Sequence, residues 1–205
     1  MGYLRNSFKV VIVTGVPGVG KTTVLSHLSK IASSRDMKMI IVNFGDFMTE
    51  TAMGEGIIKS RDELRRLPLR KQLELQSLAA YRIIEYASRE LGNEGILVID
   101  THAIVKTPAG YLPGLPGYVL DKLKPDTIVV IEAEPEIIVE RQARDKGRYR
   151  ADFGGIEGVR SLLSYARTAA IASSISYAST VLIVYNREGE PEAAALEILK
   201  ALEAL

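Results

Sequence analysis

Eight consecutive residues, Gly15-Val16-Pro17-Gly18-Val19-Gly20-Lys21-Thr22, match the pattern G-x-x-x-x-G-K-[ST] at every fixed position. A loop of this kind works in one context. A buried strand must deliver it and a helix must begin where it ends, because inward-pointing N–H groups and the positive helix terminus together hold an anion. The flanking sequence meets that requirement: residues 8–14 are an apolar, β-branched run, and residues 23–31 carry a helical pattern. The chain is thereby directed to an α/β fold that presents this loop at the carboxyl edge of its sheet. Gly15, Val16, Pro17, Gly18, Val19, Gly20, Lys21, Thr22 and the next residue, Thr23, are the expected nucleoside-triphosphate contacts. In this chemistry the lysine reaches the β- and γ-phosphates, and the Thr22 hydroxyl ligates the accompanying Mg²⁺.

Further apolar runs at 38–44, 95–100, 126–132 and 180–185 read as strands, and periodic segments at 68–91, 134–145, 156–178 and 191–204 read as helices. Near-continuous apolar strands alternating with helices predict a parallel five-stranded sheet with helices on both faces. Within 68–91, Leu69, Leu73, Ala80, Ile84, Ala87 and Leu91 are spaced to form one apolar stripe. The 205 residues suit a single domain, 1–205, whose core is 1–44, 92–143 and 156–205. Two segments read as inserts. One is 45–91, which opens with a charged, glycine-bearing stretch at 45–67; the other is a short basic loop at 144–155. Charged loops over the ligand edge of such a sheet are what lids are made of.

Asp100 closes the apolar strand Ile96 to Ile99, the place for a carboxylate that helps hold Mg²⁺ directly or through water. His102, two residues on, either contacts a phosphate or the metal's water shell, or packs as a neutral side chain. Arginines gather in the inserts and beside them: Arg61, Arg65 and Arg66 in the first, Arg144, Arg148 and Arg150 in the second, Arg141 and Arg167 in the flanking helices. Phosphoryl transfer spreads charge over the moving group, and guanidinium forks on a closing lid neutralise it. Lys21, Arg141, Arg148, Arg150 and Arg167 are therefore the candidate catalytic residues. No general base stands out, and none is needed if the acceptor is itself a phosphate. A hydroxyl acceptor would want a carboxylate, for which Asp46 is the well-placed candidate.

The segment from Val98 to Pro116 resembles the equivalent stretch of the archaeal adenylate kinases. Similarity continues in Asn43-Phe44-Gly45-Asp46, in Arg61 to Leu67 and in Val184-Tyr185-Asn186-Arg187-Glu188-Gly189, so it covers nearly the whole chain. The resemblance implies a P-loop kinase core with a nucleoside-monophosphate-binding insert and a short lid without zinc. It implies Mg²⁺-dependent transfer of the ATP γ-phosphoryl group to AMP, giving two ADP, by a homotrimer. By position, Arg61 or Arg65 meets the AMP phosphate. Asp46, His102 and the Lys106 to Pro116 segment, with Gly110, Tyr111 and Leu112, fall on the AMP side. Arg141, Arg148, Arg150 and Arg167 surround the donor and the transferring group. The helix keeps Arg167 but lacks the His-Gln and Asn-Arg pairs that relatives often carry nearby.

Two other readings stand beside this one. The first is a P-loop kinase acting on UMP, CMP, dTMP or a small hydroxyl acceptor. The second is a nucleotide-dependent hydrolase or RNA-associated factor. Against the second, a net charge of +1 and the lack of a basic, aromatic-interleaved surface argue against nucleic acid. No apolar run approaches a membrane span and no signal peptide is evident, so a cytoplasmic, membrane-free protein is expected. The absence of cysteine excludes disulfides, thiol catalysis and a Cys-ligated zinc.

Overall fold

The computed structural model describes residues 5–64, 66–107, 110–144 and 154–205. The sheet forms from β1 (Lys9–Thr14), β2 (Met39–Asn43), β3 (Ile96–Asp100), β6 (Thr127–Glu132) and β7 (Thr180–Tyr185). These strands lie in the order β2-β3-β1-β6-β7, and every pairing among them is parallel. All five coincide with the apolar runs read from the sequence. The physical reason is visible in the burial. The central strands β1, β3 and β6 are almost wholly enclosed, and β-branched side chains fill both faces. The edge strands β2 and β7 are only partly covered.

Helices cover the sheet in two layers. α1 (Lys21–Ser34) packs on α8 (Pro191–Glu203), while α4 (Leu69–Leu91) packs on α5 (Gly117–Leu123), and α5 on α7 (Gly155–Tyr177). α6 (Pro135–Arg144) lies against α7. One continuous core joins both layers through the sheet, centred on Ile12, Leu28, Leu97, Ile99, Ile128 and Ile131.

Three departures from the sequence reading follow from packing. The second strand ends at Asn43. Phe44, read as its last residue, opens α2 (Phe44–Gly54), because Asn43 caps that helix by accepting from the Asp46 N–H. The charged 45–67 stretch is thus substantially helical, with α3 (Arg61–Leu64) following α2. Its support is a small core of its own, Ala52, Ile58 and Leu75, with Met48, Ile57, Leu64 and Leu67 packed around it. The buried face of α4 is Leu75, Gln76, Ala79, Ala80, Ile83, Ala87 and Leu91, whereas Leu69 is exposed. α2 and α5 both cover this helix, so the buried arc differs from the single stripe that spacing suggested. Finally, a hairpin of β4 (Ile104–Thr107) and β5 (Gly110–Pro113) separates β3 from α5. Arg65, Arg148 and Arg150, and nearly all of the expected basic loop, lie outside the described residues.

Candidate active site

The Gly15–Thr22 loop leaves β1 at Thr14 and runs into α1 at Lys21. Val16 and Val19 are buried in the core, and the Val19 N–H donates to the Val16 carbonyl at 3.3 Å, which closes the loop into a tight turn. Gly20 has φ +87°, and a Cβ there would stand 2.5 Å from Asn186 Nδ2 and 3.1 Å from Arg141 Nη1. Only glycine satisfies both the backbone and the space. Those two side chains donate to the same acceptor, the Val19 carbonyl, at 2.7 Å from Asn186 and 3.1 Å from Arg141. Gln142 donates to the Pro17 carbonyl at 2.5 Å. The last turn of α6 and the end of β7 thus hold the loop's backbone in one shape. Asn186 is buried, and its Oδ1 is the one buried side-chain oxygen without a partner among the described residues.

Lys21 is buried at the head of α1 and donates to Asp100 Oδ1 and to the Thr101 carbonyl, the latter at 2.8 Å. Asp100 pairs in register with Val13 of β1 and Asn43 of β2, which brings the carboxylate beside the loop. Its second oxygen accepts from Asn43 Nδ2 at 2.9 Å. Thr22 and Thr23 are exposed at the start of the helix. Strand order and the start of α1 thus bring Lys21 and Asp100 together, with Thr22 the next residue of the helix.

His102 bonds through Nδ1 to the Gly15 carbonyl at 2.9 Å. That carbonyl requires the proton on Nδ1, and the contact ties His102 to the phosphate-binding loop. Nearby, the Ala103 N–H donates to Thr14 Oγ1 at 2.7 Å, which fixes the chain as it leaves β3. Asp46 and Arg61 are brought together as an ion pair beside Asn43. Arg141 pairs with Glu188 as well as with the loop. Arg167 of α7 forks onto both oxygens of Glu132, a buried carboxylate at the end of β6. This pairing holds the guanidinium even more firmly charged than usual. Tyr185, next to this group, is pushed up to about 12 by burial first and then by Glu134, so its hydroxyl stays neutral.

Lys106, Gly110, Tyr111 and Leu112 all lie in the β4–β5 hairpin. It packs on the two helices beside it: Gln76 of α4 donates to the Pro113 carbonyl at 3.4 Å, and the Tyr111 ring meets Tyr165 of α7 at 5.2 Å, edge to face. Tyr111 is thus turned to α7 rather than to the Asp46–Arg61 pair. Sequence reasoning missed Asn43, Gln142, Glu132, Glu188 and Asn186 as partners of the site. Three of them, Asn43, Glu132 and Asn186, close a strand or directly follow one, where a polar residue after an apolar run is a signal that the ligand edge is near.

The family model described as AAA domain matches residues 14–158. The adenylate kinase of Saccharolobus solfataricus is 51% identical over 194 residues, covering 95% of this chain and 99% of that protein. The adenylate kinase of Methanopyrus kandleri is 40% identical over 205 residues and covers 100% of both. Among solved structures, a sugar kinase from Janibacter sp. superposes with a TM-score of 0.54 at 17% identity, covering 96% of this chain and 95% of that one. A shikimate kinase from Bacteroides thetaiotaomicron gives 0.52 at 17%, covering 95% of this chain and 98% of that one. At that identity the two structures share the fold alone. End-to-end identity of 40 to 51% is a different matter, and with it the chain belongs to the adenylate kinase family.

Proposed function

We propose that this protein transfers the γ-phosphoryl group of ATP to AMP, reversibly, giving two molecules of ADP. The observation that carries the reading is Lys21 at the head of α1, fixed between Asp100 and Thr101 where the Gly15–Thr22 loop meets the helix. In the reaction an oxygen of the AMP phosphate bonds to the γ-phosphorus, and the bond from that phosphorus to the β-bridging oxygen breaks. AMP becomes ADP and ATP leaves as ADP. No proton has to be moved, since a phosphate monoester is already a competent nucleophile. This chain's work is then position and charge. The loop from Gly15 to Thr23 binds the donor phosphates. Lys21 and Arg141 stand beside them, and Arg167 meets the developing charge once a substrate competes with Glu132. Arg148 and Arg150 are proposed to join from the loop at 144–155. On the acceptor side, Arg61 exchanges Asp46 for the AMP phosphate, Arg65 assists, and the β4–β5 hairpin with His102 lies behind the nucleotide.

The donor set suits Mg²⁺ arriving with ATP. Thr22 offers an exposed hydroxyl, and Asp100 already spends its oxygens on Lys21 and Asn43, which fits a carboxylate acting through water. Bound there, Mg²⁺ neutralises charge on the β- and γ-oxygens. We further read 45–91 as the AMP-binding insert and 144–155 as the lid. A homotrimer in the cytoplasm rests on the likeness to the archaeal enzymes; no helix among the described residues is long and apolar enough to cross a membrane.

The test is product analysis by chromatography with MgATP alone and with AMP, GMP, CMP, UMP or dTMP added. ADP formed at twice the rate of ATP loss, with AMP, is the expected result. Hydrolysis without acceptor, or transfer to another nucleotide only, would overturn the acceptor assignment. Light scattering on the same sample reads the assembly, and a monomer would overturn the trimer.

A further inference from the structure

Asn43 has been given no substrate contact, yet its amide reaches both halves of the site. It ends β2 in register with Asp100 of β3. Its Nδ2 donates to Asp100 Oδ2 at 2.9 Å, while the other oxygen of Asp100 accepts from Lys21. Its Oδ1 accepts from the Asp46 N–H at 3.1 Å, and the Asp46 side chain accepts from Arg61. Gly45 makes room for the arrangement. A Cβ there would stand 3.2 Å from both Arg61 Nη2 and Asn43 Oδ1. Polar contacts therefore lead from the donor lysine through Asp100 and Asn43 to the Asp46 backbone, and from the Asp46 side chain to the acceptor arginine, with a single amide as their joint. The joint has to donate on one side and accept on the other. A carboxylate accepts only, an ammonium donates only, and a serine hydroxyl is too short to replace both arms of the amide.

We infer that Asn43 is a positioning residue that registers the acceptor insert against the donor site. The inference rests on the adenylate kinase reading above, since it takes the loop as donor site and α2–α3 as acceptor site. Asn43 fixes the first turn of α2, which carries Asp46, relative to the carboxylate that orients Lys21. A triphosphate that draws Lys21 away from Asp100 changes the charge facing the Asn43 amide, and the amide passes that change to Asp46 and Arg61. Occupancy of one half-site then alters affinity at the other, by the same factor in both directions.

Three substitutions separate this role from simple capping. Asn43→Asp keeps an acceptor for the Asp46 N–H, and aspartate caps helices as well as asparagine does, but it cannot donate to Asp100. Asn43→Ser keeps a cap without adding a like charge, and Asn43→Ala removes both arms. Steady-state ADP formation, the melting temperature, and calorimetric AMP titration with and without Mg²⁺ and the β,γ-imido analogue of ATP are measured for each. In the unmodified protein the analogue should change AMP affinity. The Ser variant should melt close to the unmodified protein and the Asp variant lower, because of the added like charge; both should lose about tenfold or more in kcat, as expected for a lost hydrogen bond to a charged group, and lose the analogue's effect on AMP. The Ala variant should lose melting temperature as well. Unmodified kcat and coupling in the Asp and Ser variants would overturn the proposal alone. So would an unmodified protein whose AMP affinity ignores the analogue, or activity lost only in step with melting temperature. Failure of the unmodified protein to form ADP from MgATP and AMP would instead overturn the functional reading, and the inference with it.

Discussion

Lys21 is directed before any nucleotide arrives, because Asp100 and the Thr101 carbonyl hold its ammonium where β1, β3 and α1 meet. On the reading above, a triphosphate draws that ammonium from Asp100 onto its phosphates, where charge develops in the transition state. Lys21→Ala should therefore lower kcat/KM by roughly 10³-fold or more, read by ADP formation, because the charge is lost where charge develops. Turnover near that of the unmodified protein would remove the loop from the mechanism. Arg167 was legible as a candidate arginine, but its partner was not. Arginine in a helix near a basic loop is visible in sequence. That its fork closes on Glu132, a carboxylate at the end of a strand far away in the chain, depends on α7 crossing β6. His102 is the reverse case. Its two readings stayed open in the sequence, and what the fold adds is a bond to the Gly15 carbonyl that no local spacing announced.

At the scale of elements, polar clasps hold the helices where the sheet needs them. Arg167 ties α7 to β6 through a carboxylate that is only 5% exposed. Arg167→Ala leaves that carboxylate buried and unpaired, so stability should fall by about 1–3 kcal/mol in urea titration, with Arg167→Lys recovering part of it. A neutral result would mean that water replaces the arginine. A second clasp joins α7 to α5: the Tyr177 hydroxyl lies 2.8 Å from the Gly117 carbonyl and 2.7 Å from Asp121 Oδ1. Burial, then the hydrogen bond to Asp121, pushes Tyr177 up to about 12. Its folded pKa lies above the ordinary phenol value of 10.0, so its contribution is complete below that pH and is lost as pH rises towards about 12. Thermal melts between pH 9 and 12 should show that loss, and Tyr177→Phe should make the decline shallower. An identical slope in the variant would place the titration elsewhere, Tyr185 being the other phenol held near the same value.

Across the whole molecule, one large core spans the sheet and both helical layers and takes in Phe44 and Phe47 of α2, while the end of α2 and α3 rest on a small satellite core. Stability should be graded accordingly. Native-state hydrogen exchange should find β1, β3 and β6 slowest and α2–α3 faster, with AMP slowing α2–α3 and MgATP slowing the Gly15–Thr22 loop. Uniform exchange across the insert and the sheet would contradict the division into two half-sites. Much of this organisation was readable beforehand. The five strands, the phosphate-binding loop and Asp100 follow from local pattern, because a buried parallel strand must be apolar along its length and a phosphate loop needs glycine at set places. α2, α5 and the hairpin were not readable, since short elements are stabilised by what covers them rather than by their own periodicity. The sequence by itself determined the sheet, its anion-binding loop and the residue types of the site, all of which rest on neighbours in the chain. Only the tertiary structure decided which distant groups meet: Asn186 and Arg141 on Val19, Arg167 on Glu132, and Asn43 between Asp100 and Asp46. Those contacts depend on strand order and helix crossing, which bring together residues that no local spacing relates.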